Sequence, residues 1–128
     1  MRPPLLVRLV ASETVTAGGT RKATWLVFSG HKWVSLKDVP DAEFTQLDPG
    51  PGTIWETAAT VPVAPGAWLQ KVVTTPLREQ RRDPMSYLSN EVRGARRHVE
   101  RAYFRVNTRG ALRAFILDDV PAEVRESE

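Results

Sequence analysis

The chain contains no cysteine among its 128 residues. That excludes a disulfide framework, thiolate chemistry and a cysteine-ligated zinc site. Histidine is scarce, with two residues, so a histidine-based catalytic or metal centre has little to build on. His31 follows a predicted turn, and His98 stands among Arg96, Arg97 and Glu100, where a solvated side chain suffices. No apolar run approaches the ~20 residues of a membrane-spanning helix. The opening residues 1–8 are interrupted by Arg8 too early to read as a secretory signal. A cytoplasmic protein is the resulting expectation. No phosphate-cradling loop occurs either, because Gly18-Gly19 lacks a following Gly-Lys-Ser/Thr. Asp118-Asp119 are adjacent acids that read as solvated. The expectation is therefore a non-enzymatic protein, with no cofactor and no metal.

What is present begins with charge. The net charge of +3 conceals an asymmetry. Residues 78–113 hold ten arginines, no lysine and four acids, a local charge of +6. The last 15 residues, 114–128, carry −4. Guanidinium groups fork onto phosphate or carboxylate in a way ammonium groups do not, so the block points to an anionic partner. Codon bias towards arginine is the plainer alternative.

The apolar content of 41% is enough for a core, and the length suits a single domain, 1–128. Residues 5–73 read as β structure. Residues 22–28 and 31–39 are apolar-rich runs separated by Ser29-Gly30, the spacing of a two-residue hairpin. Residues 44–47 suit a short edge strand. The two prolines and two glycines of 49–52 mark a loop, and residues 53–63 and 67–73 return to strand-forming composition. From Met85 the period changes. Met85, Leu88, Val92, Ala95, Val99 and Ala102 recur at helical spacing, which predicts an amphipathic helix near 84–101. Residues 103–117 read as a hairpin around Asn107-Thr108-Arg109-Gly110, with a helix from Thr108 as the rival, and the acidic tail 118–128 should fray. The expected fold is α+β: a small, bent antiparallel sheet or partly open barrel, of OB or SH3 size, with one amphipathic helix and a C-terminal hairpin.

Arg93, Arg97 and Arg101 would line one face of that helix about 5–6 Å apart. Arg96 flanks them, and Arg105 follows the helix end. Such a row can track a phosphate backbone; ion pairs with Glu91 and Glu100 are the structural alternative. Period-two alternation over 31–37 places Val34 and Leu36 on one face and Trp33 and Lys37 on the other. An exposed tryptophan beside lysines is how small β-barrels stack single-stranded bases. Trp25, flanked by apolar residues, is expected in the core. The functional expectation is a nucleic-acid-binding accessory protein that prefers single strands. A protein-interaction module, or a small subunit of a larger complex that grips an acidic surface, is the alternative. In that case Met85, Leu88, Val92 and Val99 could form a dimer seam.

Overall fold

Along the first strand, Val7 and Leu9 are buried while Leu6, Arg8 and Val10 are exposed. This is the alternation of a strand with one covered face. The computed structural model describes residues 4–16, 19–48, 54–76 and 97–125. Among these lie eight strands: β1 (Leu5–Thr16), β2 (Gly19–Ser29), β3 (Lys32–Ser35), β4 (Glu43–Gln46), β5 (Ile54–Val63), β6 (Trp68–Pro76), β7 (Arg97–Val106) and β8 (Leu112–Phe115). Every pairing is antiparallel. The order is β4-β5-β1-β2-β6-β7-β8, with β3 beside β2 and the two ends unjoined. The expected antiparallel, β-rich architecture is present as an open sheet.

The sheet divides at β1. Residues 12–16 of β1 pair with β2, whereas β1 from Leu5 onward also pairs with β5 as far as Thr14. Where β1 leaves, β3 takes the vacated edge of β2 at Leu26–Ser29. Trp25 stands at this fork, and its indole N–H donates to the Val10 carbonyl at 3.0 Å. The β1/β5 branch then lies over β2, β6 and β7. Val7, Leu9, Val61 and Val63 form one core with Trp25, Val27, Leu69 and Val106. Burying each such aliphatic side chain contributes about 1.5–3 kcal/mol. Leu36, in a 3-10 turn after β3, enters the same core.

A second cluster occupies the opposite face of the β2/β6/β7 layer. Phe28, Trp33, Trp68, Tyr103 and Phe115 meet Val120 and Val124 there. The last two come from the C-terminal segment, a 3-10 turn at Leu117–Asp119 and a short helix, α1 (Ala122–Arg125). The Pro121 carbonyl accepts the N–H groups of Val124 and Arg125. The tail expected to fray is thus docked through residue 125.

Two further expectations change. The helix expected near 84–101 does not include its last turn: Arg97 to Arg101 open β7. Residues 84–96, with Met85, Leu88 and Val92 of the seam, lie outside the described residues. β6 supplies the reason. Its outer edge pairs with β7 from Pro76↔Arg97 to Trp68↔Arg105, and filling that ladder outweighs helical spacing. The first hairpin turns at Gly30-His31, one residue later than Ser29-Gly30, with φ of 60° and 65°. Positive φ at both positions is the conformation that matches strand twist. The hairpin over 103–117 is present, with Asn107 Oδ1 accepting N–H bonds from Arg109 and Ala111.

Candidate nucleic-acid interface

The fork between β1 and β2 leaves an open groove of ≈ 450 Å³, within the ~300–1,000 Å³ typical of ligand sites. Trp25 and Leu36 border it at the core, and Phe44 and Trp55 stand along its β4/β5 wall. Phe44 is 50% and Trp55 52% exposed. Phe44 partners Ala59 across the β4/β5 ladder. Trp55 therefore shares its face four residues along, roughly 13 Å away in Cα position. Lys22 and Lys37 also line the groove. Lys22 bridges to Glu13 at 3.2 Å, and Lys37 is exposed.

The β-ladders fix the face on which the arginines of β7 lie. Antiparallel partners lie side by side on one face. Thr24 alternates with Trp25 on β2 and so points to the opposite face of the layer; it partners Val72, and Val72 partners Arg101. Arg101 therefore stands on the side of the second aromatic cluster, across the layer from the Trp25 side of the groove. Arg97, Arg101 and Arg105 alternate with Val99 and Tyr103 on β7 and so share this face. Their pitch is about 13 Å, not the 5–6 Å of a helical row. Glu100 partners Val73 and falls on the other side, where it pairs with His98 at 2.9 Å. Among the described residues, Arg97 and Glu100 therefore point to opposite faces of β7, and the ion pair considered between them is not made. Arg101 donates instead to Oε1 of the fully buried Gln70 at 3.0 Å. Arg93 and Arg96 lie outside the described residues.

Trp33 is placed differently from expectation. The alternation holds only through β3. Trp33 faces away from the main core, on a face that is covered, whereas Lys37, expected beside it, lies in the 3-10 turn Leu36–Asp38 and lines the groove instead. The Trp33 indole N–H donates to the Val124 carbonyl at 2.9 Å. Its ring meets Phe28 at 5.3 Å and Tyr103 at 6.0 Å between centroids. The chain itself occupies the stacking surface expected there. Trp25 is core, as expected.

Phe44 and Lys22 escaped the sequence reading, and the side taken by Trp55, which alternates onto one face with Thr53 and Thr57, was undecided in it. The signal for Trp55 was its position between Ile54 and the polar Glu56 and Thr57, which leaves the buried face of the strand undecided until β1 is placed. Among the described residues, no group of three or more His, Asp or Glu side chains is arranged to hold a metal ion. No helix among them is long and apolar enough to cross a membrane. No family model, curated protein or solved structure matches this chain.

Proposed function

We propose that this is a non-enzymatic nucleic-acid-binding protein that takes single strands in the groove at the β1/β2 fork. The exposed pair Phe44 and Trp55 beside Lys22 and Lys37 carries this reading. Unpaired bases offer π faces that stack on aromatic rings without regard to sequence. Lys22 and Lys37, which line the groove, meet the phosphates. A duplex hides its base faces, so the aromatic pair favours single strands. Low sequence specificity follows, because phosphate and stacking contacts carry little base information.

Titration with a fluorescently labelled oligothymidylate tests the proposal. Binding at micromolar concentration in low salt is expected. Stacking on one aromatic ring is worth roughly 1–3 kcal/mol. Trp55→Ala should therefore weaken binding by about 5- to 150-fold, whereas Trp55→Phe should retain most of it. Absence of micromolar binding at low salt would overturn the proposal. Attention would then pass to protein interaction, for which the exposed Leu6 and Val10, on one face of β1, offer an apolar surface.

A further inference from the structure

We infer that Arg105 and Arg113 form a phosphate-binding site at the β7/β8 edge, separate from the groove. The two arginines are direct cross-strand partners, so their side chains leave the same face with Cβ atoms about 4.5–5.5 Å apart. Like charges so placed repel, and the arrangement invites an anion between or above them. Each guanidinium is also held against an aromatic ring. The Arg105 Cζ lies 5.5 Å from the Trp68 centroid, and the Arg113 Cζ lies 5.2 Å from the Phe115 centroid. Those two rings touch edge to face at 4.9 Å. Both cations therefore rest on one continuous aromatic support, and Trp68 is itself buried.

The donors that remain suit a tetrahedral oxyanion. Arg105 uses Nε to donate to the Gly66 carbonyl at 3.2 Å, which orients the guanidinium and leaves both Nη groups unspent. Gly66 has φ of 83°, and a Cβ there would stand 3.5 Å from Arg105 Nη2. The turn thus brings bare backbone alongside the arginine. Among the described residues, no carboxylate forms an ion pair with Arg105 or Arg113. Stacking restricts the guanidinium planes before a ligand arrives, so less side-chain entropy is lost on binding. Two preoriented forks with free N–H groups match the oxygens of a phosphate better than a single carboxylate, which one fork would satisfy.

The ligand class is a phosphate group, and two sources supply it: the phosphodiester of a bound strand, or a free phosphate or diphosphate. Side-chain Nε–H spectra of the 15N-labelled full chain, titrated with inorganic pyrophosphate at constant ionic strength, test the site. Saturable shifts of the Arg105 and Arg113 resonances are expected, while Arg8, on β1, stays unmoved. Arg113→Lys keeps the charge but loses the fork, and should weaken pyrophosphate binding at least tenfold with an unchanged thermal midpoint. Trp55→Ala should leave pyrophosphate binding intact, which separates this site from the groove. If an oligonucleotide displaces pyrophosphate, the source is the strand; if it does not, the source is the free anion, and the site stands in either case. Shifts that never saturate, or that Arg8 shares equally, would overturn the inference.

Discussion

At the fork, Trp25 contributes both area and a hydrogen bond. Its ring packs against Phe104 at 5.3 Å while its N–H satisfies the Val10 carbonyl, which β2 no longer serves because β1 has turned away. Trp25→Phe would keep most of the ring and orphan that carbonyl. A loss of about 1–3 kcal/mol is expected, read as a lower urea midpoint with an unchanged slope. Trp55→Ala should behave oppositely. An exposed side chain away from the core changes stability by only about 0.5 kcal/mol, so any loss of oligonucleotide binding in that variant reports contact and not unfolding. The fate of Trp25 was legible from its apolar neighbours. That of Trp33 was half legible: alternation found its face, but the group covering it comes from Val124, 91 positions away. No local pattern contains that information.

At the scale of elements, the C-terminal segment and β7 depart most from sequence expectation. Val120 and Val124 are four residues apart, one helical turn, and both are buried. The surrounding acids drew attention to charge and away from that pair. Val124→Ala should cost about 1.5 kcal/mol, since it removes two buried methyl-sized groups. It should also shift Trp33 emission to the red as the cap loosens, measured with the other tryptophans replaced by phenylalanine. For β7, the heptad-like spacing and the alternation of Ala102, Phe104 and Val106 competed within one stretch. The unpaired edge of β6 chose the strand. Moving Arg97 and Arg101 from a helix to this strand more than doubles their pitch, so under the proposed function they would meet well-separated phosphates instead of consecutive close ones. Replacing both with Thr, a residue suited to strands, should leave the far-ultraviolet spectrum unchanged. The log–log salt slope of oligonucleotide binding should fall by about 0.7 for each phosphate contact removed.

For the whole molecule, charge and layering act together. The acidic C-terminal segment covers the aromatic cluster on the same sheet face that carries Arg101, Arg105 and Arg113. Among the described residues, the arginines of that face thereby lie along the β7/β8 strip beside the covered cluster. Affinity for single strands should consequently decline steeply between low and physiological salt, while pyrophosphate binding, with fewer contacts, declines less. Parallel titrations at two salt concentrations check this. Composition and local pattern by themselves determined the β-rich character, the strands of residues 5–73, the hairpin around Asn107 and the concentration of arginine. These depend on side-chain alternation, turn residues and counts, which are properties of neighbours along the chain. The fork at β1, the exposure of Phe44 and Trp55, the partial covering of Trp33 by the C-terminal segment and the pairing of Arg105 with Arg113 were decided only in the tertiary structure. Each depends on which strand edge meets which, and that choice rests on burying apolar faces and satisfying backbone groups over the whole sheet at once.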